Sequence, residues 1–339
     1  MPLYLQTVYA WDRLFAATRT VLTLHNVAYQ GLFGAGILDD LGLGPHAYRL
    51  HQEDLAAGRI NFLKTGILEA DALTTVSRTH AREIQTDEYG FGLQGLLRAR
   101  ADRLVGIVNG VDYGEWNPET DPLLPHRYSA ADLSGKAANK RDLLTELRLD
   151  HRPGAPLLGI VSRFVYQKGL DLAFEPLAEA IETTDLRLVA LGSGEPSYED
   201  YFRWLQRRLP TRVCTINAYS NAAAHRIEAA ADLFLMPSRY EPCGLNQMYS
   251  LRYGTVPVVR QTGGLADTVE PWNPATGEGT GFVFDHATPQ GVRWALRAAL
   301  ATYRDKRAWG RLIQNGMAQD FSWERQVGIY EEMYRRIVA

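Results

Sequence analysis

The sequence has only two cysteines, Cys214 and Cys243, among 339 residues. That excludes a disulfide framework, and no Cys/His spacing suggests zinc, so a reducing compartment fits best. An excess of one charge is also missing: 36 basic residues against 39 acidic ones leave a net charge of −3. This balance gives no footprint for nucleic acid or an anionic membrane, although a local basic cluster could hold one small anion. No apolar run approaches the roughly 20 residues of a membrane span. The start, "MPLYLQTVYAWDRLF", lacks a basic stretch followed by an apolar one. No signal peptide is therefore expected, and a cytoplasmic location is. Internal repeats, low-complexity tracts, a Walker loop and a Gly-x-Ser-x-Gly elbow are absent as well. No Asp-x-Asp pair offers a cation site for a diphosphate, so neither metal nor cofactor is expected.

What is present is a 46% hydrophobic chain long enough for about two domains. Strands are expected at 156–163, 186–192, 212–219, 233–237, 256–260 and 281–284, with helices such as 170–182 and 197–208 between them. Short apolar runs separated by helices predict a parallel sheet covered on both faces, one doubly wound α/β domain. The earlier part is thinner. It shows a helix at about 3–17, a strand at 20–25, a helical region at 50–69, and strands at 72–76 and 104–108. The segment 118–155 reads as a connection holding one helix at about 134–148, and 322–338 reads as an amphipathic helix. "SRTHAREI" (77–84) reads as a structural helix capped by Ser77.

Ligands in doubly wound sheets sit at the carboxyl ends of strands. Arg163 and Lys168, in "SRFVYQKGLDL", supply two cations before a glycine, which suits a phosphate but also describes two solvated surface residues. Gly192 lies in "LGSGEP", a glycine turn without the full dinucleotide fingerprint. Tyr219 ends another strand. Thr262, Gly263, Gly264 and Leu265 follow 256–260, where glycine lets a ligand approach the backbone or simply makes a loop and cap. Glu241, Cys243, Gly244 and Leu245 follow 233–237 in "SRYEPCGLNQ", with Cys243 equally readable as a small packing residue. His25 with Asn26 follows 20–25, and Asn109 follows 104–108, where it can turn the chain or bond a sugar hydroxyl.

Six stretches together carry a resemblance: "TLHNVAYQGLF", "INFLKTGILEADALTTVS", "NGVDYGEWNPETD", "SRFVYQKGLDL", "MPSRYEPCGLNQ" and "YGTVPVVRQTGGLADTV". The chain resembles bacterial glycogen synthase and plant starch synthase, in the family's order and over nearly its whole length. The resemblance implies a GT-B fold of two Rossmann-like domains, the N-terminal one incomplete. Residues 1–120, joined by the helix 322–339, would form it, 121–155 would connect, and 156–321 would bind the nucleotide sugar. It implies retaining transfer of glucose from ADP-glucose to the non-reducing end of an α-1,4-glucan such as glycogen. By motif position, Arg163 and Lys168 would hold the diphosphate and Glu241 would meet the transferred glucose. The N–H groups around Gly244 and Leu245, and around Gly264 and Leu265, would bind sugar or phosphate. Tyr219 would lie near the adenine, while His25 and Asn109 would face the glucose. The wording "EPCGLNQ" and "HNVAYQG" argues against a sucrose-type synthase.

Two departures accompany this. Many retaining enzymes of the class carry a second Glu eight positions after the first; here Tyr249 stands there, as glycogen and starch synthases also lack it. Family members also begin with a Lys-x-Gly-Gly-Leu loop and an Asp-Trp-His motif, whereas Met1 to Leu5 match an internal helix. The expectation is a shortened chain with little or no synthase activity. The alternative is a non-catalytic homologue that binds nucleotide or glucan.

Overall fold

The apolar runs form two separate parallel sheets. The protein is described over residues 1–339 by a computed structural model, and it divides into two compact units. Met1–Val108 with Gln326–Ala339 make the first, and Asn109–Arg325 the second.

In the first unit, β1 (Val21–Leu24), β4 (Ala72–Thr75) and β5 (Leu104–Gly106) pair in parallel in the order β1-β4-β5. Every residue of central β4 is buried, and Leu73 packs with Leu24, Ile67, Ile84 and Leu97. The helix expected at 3–17 stops at Gln6, leaving turns and a 3-10 turn at Arg13–Phe15. Thr7 turns its hydroxyl back to the Leu3 carbonyl, and the β-branched and aromatic run after it holds helix poorly. The expected helical region 50–69 is also broken. β3 (Arg59–Asn61) intervenes and pairs antiparallel with β2 (Leu32–Gly34). Gly58, at φ +69°, turns the chain into it, and Asn61 then caps the helix Phe62–Glu69 by accepting from the Lys64 N–H. Ser77 caps Arg78–Glu83 as expected.

The second unit is one six-stranded sheet in the order β11-β10-β9-β6-β7-β8, every pair parallel. Its strands are β6 (Leu157–Val161), β7 (Arg187–Leu191), β8 (Val213–Ile216), β9 (Leu233–Met236), β10 (Val256–Arg260) and β11 (Phe282–Phe284). Central strands buried along nearly their full length are covered on both faces, which is why they read as unbroken apolar runs. The chain runs outward from β6 through β7 in one direction and returns through β9 in the other. The switch point, where such sheets bind ligands, therefore lies between the carboxyl ends of β6 and β9.

The division falls at Val108/Asn109, earlier than the boundary the sequence placed near 120. The segment from 109 onward is packed into the second unit rather than free. Asp121 is fully buried, 2.7 Å from His225 Nδ1 and 2.6 Å from the Tyr253 hydroxyl. Trp116 stacks on both His225 and Tyr249. Tyr128 donates to the Tyr253 carbonyl, and Lys136 to the Thr255 hydroxyl. The C-terminal helix Trp323–Val338 crosses the division, and Arg19 Nε donates to its Ile337 carbonyl within the first unit.

Candidate active site

The loop after β6 leads from Ser162 to Gly169. Gly169 sits at φ +62°, and a Cβ there would lie 2.2 Å from the Pro237 carbonyl oxygen. Only glycine lets this loop press directly on the end of β9. Arg239 N–H then donates to the Gln167 carbonyl at 2.9 Å, and Gln167 Nε2 to the Tyr240 carbonyl at 3.3 Å. With the two loops locked together, Lys168 Nζ reaches Glu241 Oε2 at 2.6 Å. Ser238 Oγ donates to the same oxygen at 2.9 Å. The carboxylate thus meets a cation from 73 positions earlier in the chain and a hydroxyl from three positions earlier. Arg163 lies on the same loop, its guanidinium 3.3 Å from Gln167 Oε1.

The turn after Glu241 is fixed from below. Asn246 Nδ2 donates to the Val161 carbonyl at 2.7 Å, tying the helix Asn246–Arg252 to the end of β6. Gly244 takes φ +71°. Its N–H and that of Leu245 donate to no backbone carbonyl, and Leu245 is partly exposed. Burial pushes the Cys243 thiol up to about 12, against the pull of the Asn109 backbone N–H that it accepts from. A thiol this buried and this weakly acidic is a packing group rather than a nucleophile.

Several expected ligand residues carry other tasks. A Cβ on Gly263 would sit 1.9 Å from the Glu241 carbonyl, and one on Gly264 2.0 Å from that of Cys243. These glycines admit the neighbouring backbone. The Gly264 N–H donates to the Glu241 carbonyl and that of Leu265 to the Thr262 carbonyl, so neither is open to a ligand. The Leu265 side chain lies in the core with Phe234 and Val259, and Thr262 is fully buried. Gly192 likewise makes room for Ser162, whose oxygen would be 1.8 Å from its Cβ, and gives its N–H to Ile216.

Tyr219, just past β8, is 93% exposed and free to stack. In the first unit, His25 is exposed just past β1, while Asn26 accepts from the Ala28 N–H at 3.0 Å. The sequence drew attention to Ser238 and Gln247 in "SRYEPCGLNQ" but gave neither a role. The signal for Ser238 was a hydroxyl at a strand end three residues before the carboxylate. For Gln247 it was a polar residue on the apolar side of a short helix. No cluster of His, Cys, Asp and Glu suited to a metal ion is present, and no helix is long and apolar enough to cross a membrane.

Residues 1–99 match the starch synthase catalytic domain model, and residues 147–316 match glycosyl transferases group 1. A glycogen synthase of Anaeromyxobacter sp. strain Fw109-5 is 51% identical over 339 residues, all of this chain and 71% of that protein. One from Koribacter versatilis is 49% identical over 99% of this chain and 69% of its own length. Among solved structures, the catalytic domain of Arabidopsis thaliana starch synthase IV, bound to ADP and acarbose, superposes with a TM-score of 0.92 at 36% identity. That match covers 99% of this chain and 70% of the other. With the matching models in chain order and such identity along its whole length, this chain is a glycosyltransferase of the glycogen and starch synthase family.

Proposed function

We propose that the chain transfers glucose from ADP-glucose to the non-reducing end of an α-1,4-glucan with retention of configuration. The observation that carries this reading is Lys168 on Glu241 at 2.6 Å, at the switch point between β6 and β9. Anomeric transfer builds positive charge on the sugar ring and negative charge on the departing phosphate. A fixed carboxylate beside fixed cations matches that pair of charges. Lys168 and Arg163 take the diphosphate, and Glu241 faces the transferred glucose. The Gly244 and Leu245 N–H groups bind phosphate or sugar, Tyr219 stacks on the adenine, and His25 and Asn109 serve the glucose. Transfer forms a bond from the acceptor hydroxyl oxygen to the anomeric carbon and breaks the carbon–oxygen bond to the diphosphate. On a front-side route, the hydroxyl proton leaves with the departing phosphate. On a double displacement, a carboxylate first displaces the diphosphate from the anomeric carbon, and the acceptor hydroxyl then displaces that carboxylate and gives up its proton to the released diphosphate. Cys243, buried and with its thiol near 12, serves neither route as a nucleophile.

The test is incorporation of labelled glucose into glycogen from ADP-glucose and, separately, from UDP-glucose. Preferred use of ADP-glucose, abolished by Glu241→Ala with ADP binding kept, is the expected result. ADP binding without transfer in the parent chain refutes this function and leaves the binding-only alternative. Equal use of UDP-glucose refutes the donor assignment.

A further inference from the structure

Gln247 lies in the helix Asn246–Arg252 and is fully buried. Its amide nitrogen is 2.9 Å from the Gly244 carbonyl, 3.1 Å from that of Cys243 and 3.0 Å from the Thr268 hydroxyl. Two N–H groups thus serve three acceptors. The amide oxygen has no partner and presses on Gly244, where a Cβ would fall 2.5 Å from it. Turning the amide over would set oxygen against two carbonyls, so the acceptors fix its orientation. A buried amide left half-satisfied needs an explanation. The bonds beyond it supply one. Thr268 donates to the Gly264 carbonyl at 2.6 Å, and Gly264 donates its N–H to the Glu241 carbonyl at 3.0 Å. These contacts close a ring through Glu241, Cys243, Gly244, Gln247, Thr268 and Gly264.

We infer that Gln247, with Thr268, is a positioning residue for glycosyl transfer. It clamps the peptide groups of 241–245 so that the Glu241 carboxylate stays on Lys168 and the turn keeps its shape toward the donor. It touches no substrate itself. This rests on the function proposed above. Methionine has nearly the same length and no donor, so Gln247→Met removes the clamp while filling the space. Thr268→Val does the same at the other end.

The experiment uses the full chain with Cys214→Ser, leaving Cys243 as the single thiol. Iodoacetamide reports how often the turn opens, and calorimetric titration reports ADP affinity. In Gln247→Met, we expect alkylation about tenfold faster or more and ADP bound about tenfold more weakly, the effect of losing a buried hydrogen-bonded group. The double variant should be no worse than Gln247→Met alone, because one ring is already broken. A merely structural role would lower the thermal midpoint and leave the ADP affinity of the folded protein unchanged. If Gln247→Met does not fold, Thr268→Val carries the test with the same expectations. Parental alkylation rate or parental ADP affinity in the folded variants overturns the inference. A parent chain that binds no ADP fails the proposed function instead, so the two failures are told apart.

Discussion

Replacing Lys168 by methionine tests the centre of the site, because the two halves of its ion pair are unequally shielded. The side chains are 19% exposed for Lys168 and 7% for Glu241. Removing the cation leaves a buried carboxylate held by the Ser238 hydroxyl. Breaking a fully buried pair from one side costs about 3–5 kcal/mol, and partial water access here brings that to about 2–3 kcal/mol. Glu241→Gln is milder. The freed ammonium can turn to water, and glutamine still offers Ser238 an acceptor, so about 1 kcal/mol or less is expected. Lys168→Met should therefore be the less stable variant by roughly 1–2 kcal/mol in urea unfolding. Losing a charge-assisted bond to the diphosphate should weaken ADP by about 10- to 100-fold. Losing charge stabilisation of the leaving group should lower kcat by about 100- to 1,000-fold. Urea titration, ADP calorimetry and glucose incorporation measure the three. The reasoning fails if Lys168→Met is as stable as Glu241→Gln and binds ADP within about threefold of the parent.

Three further outcomes are expected. Gly169→Ala forces a side chain into φ +62° and to 2.2 Å from the Pro237 oxygen, so it should lower stability by more than about 1 kcal/mol and weaken ADP by displacing Lys168; parental values for both would refute the packing account. Tyr219→Ala should weaken ADP by about tenfold with no change in melting temperature, since the ring is 93% exposed; unchanged affinity removes Tyr219 from the adenine. Burial pushes the Glu228 carboxyl up to about 8, against the Ser250 hydrogen bond and the Lys136 charge. The folded state therefore holds a proton that the unfolded chain releases near 4.5. Its stability contribution is full below that value and is lost as pH rises toward 8, by at most about 1.4 kcal/mol per pH unit. Glu228→Gln does not titrate, so its stability relative to the parent should rise between pH 5 and pH 8 in urea unfolding; parallel profiles would refute it.

The six strands of the second sheet were legible because burial on both faces demands unbroken apolar runs, as in "LLGIV" and "RLVAL". β3 was hidden, because "RIN" has no strand pattern of its own and depends on Gly58, Asn61 and its partner β2. The early helix was overdrawn because the apolar spacing of "LYLQTVYAW" fits a helix while Thr7 ends it locally. The packing of 109–155 was invisible for another reason. Asp121 and Tyr128 look like loop residues until His225 and Tyr253 are brought to them from a hundred positions away. The strand-end rule located Lys168 and Glu241 separately, but their pairing exists only in three dimensions.

The glycines show what such a rule leaves open. Glycine signals that something approaches the backbone, without saying what. At 169, 192, 263 and 264 the approaching group is a carbonyl of the chain itself: Pro237, Ser162, Glu241 and Cys243, each 1.8–2.2 Å from the would-be Cβ. The floor of the site is therefore backbone laid on backbone, and much of its hydrogen-bonding capacity is already used. The N–H of Gly192, Gly264 and Leu265 are all engaged inside the chain. What remains for the proposed donor is a short set: the N–H groups of Gly244 and Leu245, and the side chains of Arg163, Lys168 and Glu241. A floor this closely packed can shift little without a clash, so the position of Glu241 depends on every loop beneath it. That dependence gives Gln247 its leverage: its amide ties the turn at Cys243 and Gly244 to Thr268 on the neighbouring segment.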